Sequence, residues 1–210
     1  MSEPFKDVVT SLDELRAMLG EPSELALRKQ LDRLDEHCRT FLAKAPFALL
    51  ATSDREGRLD VSPKGDPAGF ALVLDDTHLV IPDRPGNKRL DGMRNILANP
   101  HIGLLFLVPG KDETLRINGR ASILRDAELL ERMSVDGKRP QLAIGVEIEE
   151  VFFHCAKAFR RSGLWKPDKW PDIAALPGPA RVFFDQTKPT TETLESLQAR
   201  LEDGYKNRLY

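Results

Sequence analysis

The chain has 210 residues, with 31 Lys and Arg against 33 Asp and Glu and a formal net charge of -2. Apolar residues are 41% and charged residues 30%, the usage of a globular protein long enough to bury a full core, and the lack of a basic excess argues against a broad nucleic-acid surface. The two cysteines, Cys38 and Cys155, form no CxxC, which argues against a disulfide framework and a structural zinc site.

The opening MSEPFKDVVTSLDEL lacks a basic segment followed by an apolar run, so it does not read as a signal peptide. No apolar stretch approaches the ~20 residues of a membrane span. The expectation is a soluble protein of a reducing, cytoplasmic compartment. Ser11 with Glu14 predicts a capping box ahead of a short helix stopped by Gly20 and Pro22. Ser23 then caps a longer predicted helix to about Lys44, with Leu27, Leu31, Leu34, Cys38, Phe41 and Leu42 as its buried stripe.

From Pro46 the pattern turns to strands. Phe47–Ser53 reads as a central strand and Asp54–Gly57 as a turn. Arg58–Ser62 completes a hairpin, with Pro63 and Gly65 ending its regular pairing. Strands follow at Phe70–Leu74 and His78–Ile81, then a loop and a helix over Arg89–Ala98 ended by Asn99-Pro100. Further strands are predicted at His101–Val108 and Thr114–Leu124 and a short helix capped by Asp126. A long strand spans Leu142–Phe153. Residues 163–190 carry five prolines and read as irregular, and a helix capped by Thr190 or Thr191 runs to about Asp203. Successive short strands with tight turns predict a closed or half-closed antiparallel barrel. A doubly wound parallel sheet would need a helix after nearly every strand. The expected organisation is N-terminal helices over 1–44, a barrel over 45–165 and a Pro-containing tail over 166–210.

Asp83-Arg-Pro-Gly-Asn-Lys-Arg-Leu-Asp-Gly-Met-Arg94 carries the most informative chemistry. It gathers Arg84, Lys88, Arg89 and Arg94 with Asp83 and Asp91, just where a loop opens onto a helix start. Cations at a helix N-terminus oppose its dipole, and a phosphate seated between them would resolve that conflict; the alternative is a solvated basic turn. Val61–Asp66 places Lys64 between Pro63 and Gly65, a rim able to read a flat heterocycle, although alone it reads as an exposed loop. Arg116, Asn118 and Arg120 share one strand face and line a cleft or face water. Phe159–Trp165 sets an aromatic ring beside Arg160, Arg161 and Ser162, and ordinary packing is the commoner use of such a ring. No histidine pair or Cys/His set has metal-ligand spacing, and no nucleophile elbow, P-loop or dinucleotide fingerprint is present.

Phe47–Ser53, Asp60–Asp66, His78–Pro82, the 84–89 loop, Asn99–Phe106 and Leu115–Ala121 together resemble the pyridoxamine 5'-phosphate oxidase-like family, the FMN-binding split barrels, over about residues 40–165. The resemblance implies a mainly β, six-stranded antiparallel split barrel with helical additions. It also implies a homodimer with FMN held between subunits. It carries Ser62, Pro63 and Lys64 onto the strand passing the flavin ring, Ile81 and Pro82 onto a strand end beside the cofactor, and Asn87, Lys88 and Arg89 onto the phosphate turn. Arg116 falls near the cofactor, and Arg161, Ser162 and Trp165 on a segment closing the site over the ring. Leu59 stands where the oxidase proper has an arginine, and 166–210 lacks that enzyme's substrate-binding pattern. The expected function is FMN-dependent hydride transfer to a small molecule, with no catalytic side chain or metal assigned. The alternatives are a deazaflavin-dependent reductase, a non-catalytic flavin- or haem-binding protein, and a barrel whose basic loop meets a protein partner.

Overall fold

The structure is a computed structural model describing residues 4–210; Met1, Ser2 and Glu3, where the chain's opening was read for a signal peptide, lie outside the described residues. Seven strands form one sheet: β1 (Phe47–Ser53), β2 (Leu59–Gly65), β3 (Leu72–Val73), β4 (His78–Asp83), β5 (His101–Leu107), β6 (Thr114–Leu124) and β7 (Leu142–His154). Their order is β2-β1-β5-β6-β7-β4-β3, and each neighbouring pair in it is antiparallel. This corrects the expectation of a six-stranded barrel. The sheet has seven strands and does not close, because its ends are poor partners. β2 carries Pro63, which has no N–H to donate, and β3 is only two residues long.

Alternation fixes which face is core. Ala48, Leu50 and Thr52 on β1, Ile102, Leu104 and Phe106 on β5, and Leu115 and Ile117 on β6 are all buried, and they continue into Ile81, Ile144 and Val146 as one cluster. Helix α3 (Glu36–Leu42) and helix α4 (Asp91–Ala98) contribute Cys38, Phe41, Leu42 and Ile96 to it. Between Asn118 and Gly119 the β6–β7 register shifts. A Cβ on Gly119 would stand 2.0 Å from the Glu147 carbonyl oxygen, so only glycine fits this bulge.

The strand limits also differ from the sequence reading. Pairing in β2 does not stop at Pro63: it continues as Leu49↔Pro63 to Phe47↔Gly65, which an edge position permits. β4 likewise runs through Pro82 to Asp83, while the third strand shrinks to two residues.

The single helix expected over 23–44 is two helices, α2 (Glu24–Arg28) and α3, following α1 (Leu12–Leu19). Leu31 leaves the helical path to exchange backbone hydrogen bonds with Val151 of β7, at 2.9 and 2.8 Å. The Asp35 carboxylate then caps α3 by accepting from the Cys38 N–H at 2.8 Å. Leu27 remains exposed, so only the second half of the expected stripe enters the core. α5 (Ala127–Arg132) begins at its expected Asp126 cap. The tail is more ordered than expected. Preceded by α6 (Lys157–Ser162), it holds a 3-10 turn at Pro167–Lys169, α7 (Pro179–Thr187) and α8 (Leu194–Asn207). α7 starts with Pro at N1, where the missing N–H costs nothing. The α8 cap is Thr193, not Thr190 or Thr191, and Thr193 and Ser196 exchange reciprocal capping bonds. Among the described residues, no helix is long and apolar enough to cross a membrane.

Candidate functional site

The open side of the sheet contains the main cleft, of about 1180 Å³, on the scale of a site for a cofactor-sized ligand. Its walls come from both ends of the unclosed sheet: Asp60, Ser62 and Lys64 of β2, and Asp83 of β4 with Leu142 and Ile144 of β7. Lys64 Nζ lies 3.4 Å from Asp83 Oδ1, an ion pair spanning strands that do not neighbour each other in the sheet. The remaining wall is the 84–93 segment, where the loop enters α4, together with residues 138–141 and Tyr210. Six cations, Lys64, Arg84, Lys88, Arg89, Lys138 and Arg139, line the cleft against Asp60, Asp83 and Asp91. In a protein of net negative charge, this is a local positive field that favours an anion.

The 84–91 loop follows from its local chemistry. Lys88 and Leu90 hold φ near +61°, a conformation that costs a non-glycine residue roughly 1–2 kcal/mol. The Asn87 Oδ1 accepts the Arg89 N–H at 3.0 Å and pins the turn between them. Leu90 in this conformation starts α4 at Asp91 rather than at Arg89, and no side chain caps the helix. The first-turn N–H groups and the positive end of the dipole therefore face the cleft wall. Arg89 Nε donates to Asp91 Oδ2 at 2.7 Å, and that bond holds the Arg89 guanidinium above its ordinary pKa. Lys88 lines the same wall and is free of any ion pair among the described residues.

Arg84 lines the same cleft, with its side chain engaged in the wall. Its Nε donates to Asp66 Oδ2 at 2.7 Å, and its Nη2, in ion-pair contact with the same oxygen at 2.7 Å, donates to the Met133 carbonyl at 2.7 Å. The side chains of Arg84 and Asp66 are 14% and 2% exposed. This is a buried, hydrogen-bonded pair holding the wall together, and its main donors are committed. Tyr210 completes the cluster. Its hydroxyl donates to Asp66 Oδ1 at 2.8 Å, and the Arg84 guanidinium lies 5.1 Å from its ring centroid. The hydrogen bond to Asp66 raises the phenol above its ordinary pKa.

The structure therefore gathers Ser62, Lys64, Arg84, Asn87, Lys88 and Arg89 around one cleft. The other expected residues stand elsewhere in this chain. Pro63 alternates to the opposite face of β2 from Ser62 and Lys64. Ile81 is fully buried in the core, and Pro82 lines a separate cavity of about 180 Å³ behind Arg84. Arg116 donates to Glu150 at 2.5 Å on the outer sheet face and sits 4.1 Å over the Phe152 ring. Arg161 and Ser162 belong to α6. Trp165 stacks on Phe159 at 5.7 Å and donates to the Lys111 carbonyl at 2.9 Å. The sequence reading missed Lys138, Arg139 and Tyr210. The basic Lys138-Arg139 pair before β7 was a visible signal. Tyr210 gave none, since its hydrogen-bond partner lies 144 residues away.

Comparison with known proteins places the chain. The Group A Streptococcus protein HupZ shares 19% identity over 57% of this chain and 93% of its own, with a TM-score of 0.46. HutZ, the heme storage protein of Vibrio cholerae, shares 20% identity over 57% of this chain and 94% of its own, at 0.41. A Lactobacillus delbrueckii protein, provisionally assigned as a pyridoxamine 5'-phosphate oxidase, shares 26% identity over 59% of this chain and 98% of its own, at 0.45. No curated protein matches the chain. The family model described as pyridoxamine 5'-phosphate oxidase matches residues 34–155, from the end of α2's connection through the last strand, and by that match over more than half its length the chain belongs to the pyridoxamine 5'-phosphate oxidase family.

Proposed function

We propose that the chain is an FMN-dependent oxidoreductase acting on a small molecule, with FMN bound in the cleft at the sheet opening. The observation that carries this reading is the unpaired Lys88 beside the uncapped start of α4, an anion seat on the wall of a cavity large enough for a mononucleotide. The donor set fits the group. Lys88, Arg89 and the first-turn N–H groups would hold the phosphate. Lys64 on the facing strand would lie against the ring, where its charge stabilises electron density added there. FMN supplies hydride transfer, and the protein supplies binding, orientation and electrostatics. Arg84 is not a phosphate ligand in this reading; with Asp66 it fixes the wall that presents the loop.

The family's homodimer enters the same proposal. On the face opposite the core, the register aligns Pro63, Leu49, Leu105, Arg116 and Phe152 in one row and Val61, Ala51, Gly103, Asn118 and Glu150 in the next. Leu59 and Val61 are 78% and 59% exposed there. A second copy seated on this apolar face would bury it, and would bring Pro63, Arg116, Arg161, Ser162 and Trp165 within the reach of a cofactor in the partner's cleft. A sedimentation measurement finding only monomer would remove the partner from this reading.

The direct experiment is to release the ligand from purified protein and identify it by mass, then to titrate FMN into the apoprotein. Lys88→Ala should weaken FMN binding by about tenfold or more, the effect of one charge-assisted hydrogen bond. A deazaflavin or a haem in the extract would replace FMN as the cofactor, and among the described residues no histidine lines the cleft to ligate haem iron. A colourless protein that takes up no FMN refutes the proposal.

A further inference from the structure

We infer that Asp83 sets the redox poise of the cleft by offsetting the charge of Lys64, so that a bound flavin is held at low potential and hydride is passed on to a substrate. The inference rests on the flavin reading, in which Lys64 is the residue against the ring. Alternation along β2 turns Lys64 to the cleft with Asp60 and Ser62. Alternation along β4 sets Asp83 in line with Leu79 and Ile81, which are buried in the main core. The carboxylate therefore emerges where the core face of β4 runs out into the cleft.

The two groups meet across the opening, Lys64 Nζ 3.4 Å from Asp83 Oδ1, with side chains 21% and 27% exposed. Among the described residues, neither side chain has a second hydrogen-bond partner. An ammonium has three N–H donors and a carboxylate accepts at two oxygens, so both keep capacity for a ligand. The other charges of this wall are differently placed. Arg84 is committed to Asp66 and Arg89 to Asp91, and Lys88 stands at the α4 start, at the phosphate end of the site. A hydride brings two electrons and one proton, so reduction by a hydride donor adds one negative charge to the ring. A lone half-buried ammonium would stabilise that charge strongly, because screening there is far weaker than in water. Paired with Asp83, it presents a dipole in place of a full charge. The added hydride is then held less firmly and moves on more readily to an acceptor.

The test is the two-electron potential of FMN bound to the full chain, measured by anaerobic reduction beside a reference dye. Asp83→Asn should favour reduced over oxidised FMN by about tenfold, a rise of about 30 mV for a two-electron couple. Lys64→Met should lower the potential by a similar amount, because Asp83 is then left unopposed. The double variant should return close to the parent. Asp83→Glu, which keeps the charge, should also stay close to it. A wall that had merely lost its shape would not give shifts of opposite sign in the two single variants. A potential that is unchanged or lower in Asp83→Asn overturns the inference and leaves FMN as the cofactor. A double variant far from the parent means that the two charges do not offset one another, and overturns it as well. If the parent takes up no FMN, the flavin reading falls and the inference falls with it.

Discussion

Asp66→Ala is the most demanding test of how the cleft wall is held. The carboxylate accepts one bond from Arg84 Nε at 2.7 Å and one from Tyr210 at 2.8 Å, and lies 2.7 Å from Arg84 Nη2 as an ion pair. Its removal leaves a guanidinium that is 14% exposed with the Met133 carbonyl as its remaining partner. Stranding one member of a buried ion pair costs roughly 3–5 kcal/mol. The residual exposure of Arg84 and its surviving bond put this case at the low end, about 3 kcal/mol. Urea unfolding followed by far-UV circular dichroism measures it as a lower midpoint at constant slope. Replacing Arg84 by Met in the same background should recover much of the loss, because a neutral side chain of similar length needs no counter-charge. A loss under about 1 kcal/mol in Asp66→Ala, or no recovery in the double variant, would refute the claim that this pair organises the wall.

Three further outcomes follow from particular contacts. Burial pushes the Cys38 thiol up to about 12, whereas Cys155 is exposed, so a thiol reagent at mild alkaline pH should modify Cys155 alone in the native protein and both after unfolding. Gly119→Ala places a Cβ against the Glu147 carbonyl at 2.0 Å and should lower the melting temperature by several degrees, whereas an unchanged value would mean the bulge relaxes freely. Burial also lowers the His154 pKa in the fold. The unfolded chain then binds more protons below about pH 6.5, so this histidine's share of stability is present above that pH and is lost as pH falls through its folded value. His154→Gln should flatten that part of the stability profile.

The local chemistry of the chain determined most of the strands and the basic loop. β1, β5, β6 and β7 are visible as apolar runs or alternations because their pairing faces a single core. The 84–94 cluster is visible because cations at a helix start contradict the dipole. Breaks that depend on remote partners were not legible. Leu31 reads as part of a helical stripe until Val151 claims its backbone. Pro63 and Pro82 read as strand ends until edge pairing and the β7 register carry the ladder past them. Tertiary structure alone decided that the sheet stays open, because closure depends on whether two edges meet and not on the pattern within either. It also decided which cations are free. Arg84 and Lys88 look alike in sequence, four residues apart, yet one is buried against Asp66 and the other is left to the cleft. A charge becomes available to a ligand only after the fold has chosen which carboxylates neutralise its neighbours, and that choice is made by segments far away along the chain.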